Sequence, residues 1–357
     1  MRRAQSTPLN SLERRAIASL GTIFALRLLG LFLILPVFAL YAEQLEGHTP
    51  LLVGLALGAY GLTQGILQIP YGMASDRFGR KPVIAAGLVV FAIGSVIAAL
   101  ATTIEGVIVG RAIQGAGAVS AAVVAMVADL TREETRTKAM AIIGISVGAS
   151  FVLSLMLGPV LNAGIGVPGI FWLTAALALV GISVLFLFAP TPVHSQPYAD
   201  RATLRRSLGR VVSDPRLLRL NLGIFFLHCA LTAVFVVVPL ALVRHAGLPA
   251  LEHWKVYLPV MLISVIFMFP LIAAAEKRSR TRVVFAGAVL VLAVSQTVLF
   301  EVHQQLSGIV VGLLLYFIAF NVLEAMLPSL VSRTAPAASK GTAIGVFTSF
   351  EFLGAFV

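Results

Sequence analysis

The sequence predicts an all-α protein that crosses a membrane many times and is built from two similar halves. Of its 357 residues, 59% are hydrophobic and only 11% are charged, a composition unsuited to a mostly water-exposed surface. The hydrophobic residues form runs long enough to span a bilayer. Such runs must be helical, because only a helix satisfies every backbone group within its own segment.

Eleven apolar segments follow one another along the chain. The first exceeds the core of a cleaved signal peptide and contains Arg27, so we interpret it as a span. The last begins near Gly341 and is cut off at Val357, so we expect the sequence to be a fragment that lacks a twelfth span. The predicted spans are 16–41, 51–74, 82–101, 104–128, 138–162, 168–190, 218–243, 255–275, 282–301, 305–332 and 341–357.

The basic residues predict the orientation of these spans. With a cytoplasmic amino terminus, all 26 Lys and Arg residues lie on the cytoplasmic side except Arg27, Arg111, Arg244 and Lys255. The positive-inside rule therefore places the amino terminus and the central loop in the cytoplasm, and we expect a bacterial inner membrane. Because topology accounts for the net charge of +11, nucleic acid is not an expected partner.

An internal repeat with an offset of about 200 residues relates the two halves. The charged segment 76–80 matches 276–280 in keeping an acid and two bases at the same places, and Lys138–Ile142 matches Lys340–Ile344. An even number of spans in each half makes the halves parallel. The predicted domains are an amino-terminal six-helix bundle at 1–190, a cytoplasmic linker at 191–217 and an incomplete second bundle at 218–357.

A short charged turn, residues 72–82, separates the second and third spans. Glycine suits a turn where backbones approach closely or φ is positive, and Asp76 can pair with a neighbouring cation. The pattern Gly-x-x-x-Asp-Arg-x-Gly-Arg-Lys between two spans resembles the loop 2–3 signature of the major facilitator superfamily. The resemblance implies two six-helix halves with the substrate path between them near the membrane midplane.

The charged turn is predicted to act as a conformational latch between the bundles, with simple anchoring of the helix ends as the alternative. By resemblance, Asp129 would pair with Arg80 and join Asp76 in holding the outward-facing state. A solvated acid at a helix end is the alternative for Asp129. The predicted latch residues are Gly72, Asp76, Arg77, Gly79, Arg80, Lys81, Asp129, Arg132 and Arg136.

Two further motifs resemble those of drug:proton antiporters, and within them the YajR-like branch. Arg111-Ala-Ile-Gln114-Gly115 resembles a motif associated with proton coupling, although an arginine at this depth can also serve as an interhelical hydrogen-bond donor. Gly148 and Gly158-Pro159 resemble the motif that marks the antiporters. Asn162-Ala163 replace its usual last glycines, and a simple proline kink is the alternative.

Four other ionisable residues lie within predicted spans. Glu324 is the preferred proton carrier and Glu351 the second, because desolvation favours the protonated carboxyl group. His228 is either a titrating group or a hydrogen-bonded packing residue. Arg27 either holds a substrate anion or neutralises Glu324, or its long side chain snorkels to the inner interface.

These features predict a secondary transporter that exports amphiphilic or hydrophobic small molecules in exchange for protons by alternating access. An uptake symporter and a transport-inactive scaffold or sensor are the alternatives. The expected partners are a small-molecule substrate, protons and the lipid bilayer, and the expected state is a monomer. The proton gradient supplies the energy, and no cofactor is expected.

Enzymatic function is disfavoured by the same sequence. It contains no nucleotide-binding Gly-x-x-x-x-Gly-Lys-Ser/Thr motif and no His/Cys spacing typical of a metal site. We therefore predict no catalytic residues and no metal ligands. His245, Glu252 and His253 are interpreted as parts of a solvated loop rather than a zinc site.

Overall fold

The computed structural model describes residues 8–191, 208–277, 280–336 and 340–357, and nearly all of these are helical. Within those ranges the only extended pairing is an isolated bridge between Glu46 and Thr103. The helices are Ser11–Phe32 (α1), Leu35–Ala42 (α2), Pro50–Phe78 (α3), Arg80–Leu100 (α4), Ile104–Ala116 (α5), Ser120–Leu130 (α6), Glu133–Leu187 (α7), Pro215–Arg244 (α8), Trp254–Lys277 (α9), Thr281–Val302 (α10), Leu306–Thr334 (α11) and Lys340–Phe356 (α12). A 3₁₀ turn at Ala250–Glu252 precedes α9.

The predicted all-α membrane architecture is confirmed. In the described ranges, nine helical segments are long and apolar enough to cross a bilayer. The 55-residue α7 contains two of the predicted spans, which Gly166 separates with a φ of 68°. The 17 residues of α12 correspond to the eleventh predicted span.

Two predicted spans are broken helices rather than continuous ones. The first divides at Leu33–Ile34, where Pro36 in the first turn of α2 supplies no backbone N–H to continue α1. The fourth divides at Gly117, whose ψ of 51° ends α5 before α6 begins. Each break leaves backbone carbonyls inside the bundle that a continuous helix would have used in its own hydrogen bonds.

The charged turn is much shorter than the predicted 72–82. Helix α3 runs to Phe78 and α4 begins at Arg80, so Gly79 alone reverses the chain, with a φ of 94° that suits glycine. The polar residues on either side remain helical because they have partners within the bundle. Most of the predicted linker 191–217, the residues before Pro8 and residues 278–279 of the second charged turn lie outside the described residues.

The two halves meet along α3 and α12. Cβ atoms added at Gly58, Gly61 or Gly65 would collide with the backbone of α12, so these glycines allow the two helices to touch. Phe151 of α7 also crosses the boundary, packing 6.2 Å from Phe235 and 6.4 Å from Phe317 between ring centroids.

The described contacts between the halves are concentrated at the end of the bundle away from Gly79. Glu43, just after α2, forms an ion pair with Arg244 at the end of α8. The glycines that touch α12 lie toward the start of α3, which is also at that end. At the Gly79 end, Arg15 and Lys81 bind backbone carbonyls of residues 187–189, all within the first half.

We expect Gly94→Ala to destabilise the protein. The added Cβ would lie 2.6 Å from the Gly110 carbonyl oxygen and force α4 away from α5. Overpacking of this kind costs about 1–3 kcal/mol. The measurement is the apparent unfolding temperature of the detergent-solubilised protein.

The matched control for that variant is Gly287→Ala in α10, where the new Cβ meets open space. An unhindered change from glycine to alanine inside a helix stabilises by about 0.5–1 kcal/mol. Equal unfolding temperatures for the two variants would contradict the close packing of α4 on α5.

Candidate functional site

Arg80 is the centre of a buried ion-pair cluster at the Gly79 end. Its Nε atom lies 2.8 Å from Oδ2 of Asp129, and its guanidinium also pairs with Asp76 one helical turn earlier. The hydroxyl of Ser75 accepts a further hydrogen bond from Arg80 Nη1 at 2.7 Å. The cluster therefore joins the end of α3, the start of α4 and the end of α6, with all three charged side chains less than 10% exposed.

The remaining predicted latch residues do not belong to this cluster. Lys81 donates to the Ala189 carbonyl at 2.7 Å, and Arg136 donates to the Ala128 carbonyl at 3.2 Å. Arg77 lies over the ring of Phe78, 5.3 Å from its centroid. Gly72 packs against Ala121 of α6 in an ordinary contact. Among the described residues, every one of these contacts stays within the first half.

Arg132 instead binds Glu13, a residue that the sequence analysis missed. The Arg132 guanidinium lies 2.9 Å from the Glu13 carboxylate, and Thr135 donates to the same carboxylate at 2.6 Å. Hydrogen bonding to Glu13 raises the pKa of Arg132 above its ordinary value. The signal that could have found Glu13 is the capping box it forms with Asn10, which places an acid at a helix start that a bundle can bury.

Arg27 lies inside the first half and is bonded only to neutral oxygens. Its guanidinium donates to Tyr60 and Gln64 at 2.7 Å each, to Ser120 at 3.1 Å and to the carbonyl that the break at Gly117 frees, at 3.2 Å. Arg27 is 2% exposed, so it neither snorkels nor contacts Glu324 in this conformation. Sequence reasoning missed its partners because neutral residues on other helices give no local signal.

Arg111 occupies a neighbouring buried position. It pairs with Gln114 of its own motif, and Gln114 donates in turn to Ser95 at 2.8 Å. Arg111 also lies 5.0 Å from the centroid of the Tyr60 ring, a cation–π contact that links it to the Arg27 network. The first half thus holds two buried positive charges for which the described residues supply no carboxylate partner.

The predicted antiporter-motif residues lie apart from these arginines. Gly158 packs closely on the break between α1 and α2, where an added Cβ would lie 2.8 Å from Pro36. This close contact is within the first half. Gly148 is exposed beside open space, and Pro159 sits within α7 without ending it.

In the second half, His228, Glu324 and Glu351 come together from three different helices. One ligand atom from each lies within 4.8 Å of the others, and His228 Nε2 lies 3.7 Å from Glu351 Oε1. Atom Oε2 of Glu324 is buried and has no hydrogen-bond partner among the described residues. The predicted proton-coupling residues therefore fall into two groups, a positive one with Arg27 and Arg111 and this acidic one.

The two groups adjoin each other across the interface between the halves. The hydroxyl of Tyr60 accepts a hydrogen bond from Arg27, and the Tyr60 ring packs edge-on against Phe352 with 6.2 Å between centroids. Phe352 follows Glu351 directly in α12. Movement of α12 against α3 therefore changes the distance between the acids and the buried arginines.

His253 contradicts the expected solvated loop. It is 0% exposed, and among the described residues neither of its ring nitrogens has a hydrogen-bond partner. The 3₁₀ turn just before it packs against α7 and α8, which buries the ring. Glu252 and Lys255 do lie in the open, as a surface ion pair at 3.0 Å.

These features are those of a polytopic helical transporter made of two bundles, each with charged groups buried among its helices. The sequence profile described as Major Facilitator Superfamily matches residues 20–357, and the chain belongs to that family, which comprises membrane transporters. It is therefore an integral membrane protein, and its fold is the two-half fold predicted from the sequence.

Relatives and solved structures agree with this assignment. The inner membrane transport protein YajR of Escherichia coli (strain K12) is 47% identical over 342 residues, which cover 96% of this chain and 75% of YajR. The multidrug resistance protein MdtH of Yersinia enterocolitica is 27% identical over 355 residues, covering 94% and 83%. A bacterial homolog of the human lysosomal transporter Spinster, solved inward-facing and occupied, shares the fold with a TM-score of 0.78 at 15% identity, covering 97% and 80%.

We expect Asp129→Asn to lower the unfolding temperature strongly. The substitution leaves the buried Arg80 with Asp76 as its only carboxylate neighbour, and breaking a buried ion pair costs about 3–5 kcal/mol. Arg136→Gln is the control, because this exposed arginine donates only to a carbonyl oxygen. Thermal unfolding of both variants in detergent tests the difference, and an Arg136 variant as unstable as the Asp129 variant would contradict it.

Proposed function

We propose that the chain is a proton-coupled antiporter that exports amphiphilic or hydrophobic small molecules by alternating access. The cluster of His228, Glu324 and Glu351 supports the proton coupling, because two carboxylates converge there with one imidazole and no Lys or Arg contact among the described residues. A carboxylate in a poorly hydrated site is stabilised by binding a proton. Its charge then depends on whether the site faces proton-rich or proton-poor solution.

Coupling requires that protonation favour one conformation over the other. The arginine network in the first half supplies such a difference, because it approaches the acids only through the Tyr60–Phe352 contact between the halves. Deprotonated acids would attract that network and draw the halves together at the midplane. Protonated acids would not, so the free-energy difference between the two conformations changes with proton occupancy.

The orientation proposed from the basic residues indicates which side of the membrane this conformation opens to. With the Gly79 end in the cytoplasm, the contacts that join the halves lie toward the periplasm, which corresponds to an inward-facing state. In this state the Arg80 cluster joins only first-half helices. We propose that it acts as a latch when the cytoplasmic end closes in the outward-facing state.

The printed name of MdtH supports the substrate class, since that relative is a multidrug resistance protein. The interface between the two halves is consistent with this substrate class, because Tyr60, Phe151 and Phe352 contribute aromatic rings to it. Such surfaces bind apolar molecules of varied shape.

The test is transport by the full-length protein in proteoliposomes that contain a trapped pH dye. Lipophilic cations and neutral drugs are added to one side, and compound-dependent proton movement is followed. We expect Glu324→Gln to abolish this proton movement, because a neutral amide cannot gain or lose the proton. Glu301→Gln, which alters an exposed acid of the same half, should behave as wild type.

The direction of proton movement separates the alternatives. Protons that move against the compound indicate antiport, and protons that accompany it indicate an uptake symporter. Proton flux that survives Glu324→Gln would indicate that another residue binds the transported proton. Absence of flux with every compound would favour the transport-inactive scaffold.

A further inference from the structure

The geometry of the second-half cluster points to more than proton binding. We propose that His228, Glu324 and Glu351 form a binding site for a divalent transition-metal ion such as Zn²⁺. The sequence predicted no metal ligands, since the three residues lie far apart in the chain and match no metal-binding spacing. Only the packing of α8, α11 and α12 brings them together.

The spacing of the ligand atoms suits one small ion. In a tetrahedral site with metal–ligand bonds of about 2.1 Å, neighbouring ligand atoms lie about 3.4 Å apart. His228 Nε2 and Glu351 Oε1 are already 3.7 Å apart, and the Glu324 ligand atom lies within 4.8 Å of both. Side-chain adjustments of about 1 Å or less would complete a three-ligand set with an open fourth position.

The imidazole of His228 is placed to support a metal ion. Its Nδ1 atom lies 3.3 Å from the Ile224 carbonyl, which can only accept a hydrogen bond, so Nδ1 is the donor in the tautomer that makes this bond. In the neutral ring, Nε2 then presents its lone pair to Glu351. A hydrogen bond from the second ring nitrogen to a carbonyl is the usual support of metal-binding histidines.

Among the described residues, the ligand atoms of the cluster are not joined to one another by hydrogen bonds. The separation of 3.7 Å exceeds the 2.7–2.9 Å of a charge-assisted hydrogen bond, and the buried Glu324 Oε2 has no partner among the described residues. In the forms that ligate a metal, two carboxylates and a neutral imidazole, the cluster has a charge of −2 that a divalent ion cancels. Mixed nitrogen and oxygen ligands favour ions such as Zn²⁺ and Co²⁺ over Ca²⁺ and Mg²⁺.

The cluster is also accessible to an ion. The side chains of His228 and Glu351 are 12% and 25% exposed, so they border open space rather than the closed core. Phe320 packs against the His228 ring with 5.8 Å between centroids and restricts its rotation. An organic ammonium fits the site less well than a metal ion, because its carbon substituents would have to occupy the same narrow gap between the three ligands.

The test is a titration of the purified full-length protein, freed of any histidine tag, with Co²⁺, whose visible absorption reports tetrahedral coordination. We expect one equivalent to bind and Zn²⁺ to displace it. His228→Ala and, separately, Glu351→Gln should each weaken binding by at least about tenfold, the smallest loss expected even for partners outside the ligand shell. Glu351→Gln changes no volume, so it tests the site even where His228→Ala impairs folding.

The control removes a pair of imidazoles outside the proposed site. His245 and His303 follow the ends of α8 and α10, have ring centroids 5.2 Å apart and could bind a metal adventitiously. The double substitution His245→Ala, His303→Ala should leave the Co²⁺ spectrum unchanged. Loss of binding in this control, unchanged binding in the His228 and Glu351 variants, or no binding by the wild type would each overturn the proposal. The proposal does not rest on the proposed transport function, because binding is measured without transport.

Discussion

Charged groups buried in the bilayer have to find partners inside the protein, and the two halves meet this requirement differently. Arg27 is surrounded by side-chain and backbone oxygens, one of them the carbonyl freed at Gly117, which accept from its two terminal nitrogens, whereas its Nε has no partner among the described residues. Glu324 and Glu351 lie together with the imidazole of His228, and among the described residues one oxygen of Glu324 has no hydrogen-bond partner. The buried arginines of the first half are positive, whereas the second-half cluster contains two carboxyl groups and one imidazole.

This difference determines which half can exchange ions with solution. A guanidinium stays protonated in proteins, so the first-half network keeps its positive charge. The acids, by contrast, gain stability from a proton or a metal ion and lose no bonded partner when it leaves. The proton coupling and the metal binding that we propose for the second-half cluster would both follow from these unpaired groups, and they would compete for the same lone pairs.

Close contact between the halves depends on small residues. Glycines on α3 let the backbone of α12 approach, and the same approach brings Glu351 next to Tyr60 and the arginine network. At the Gly79 end, the ion pairs of Arg80 stiffen the first half without crossing to the second. In this conformation the described contacts therefore join the two halves at one end and stay within the first half at the other.

The fold class and most helix positions follow from the sequence, because lipid forces long apolar segments to be helical and basic residues mark one side. The Arg80 partner Asp129 was also expected from a motif. Breaks at Leu33 and Gly117 were not, since they depend on how neighbouring helices use the freed carbonyls. Sequence alone identified Glu324, Glu351 and His228 as costly intramembrane residues, but only the packing of three distant helices decided that they share one site.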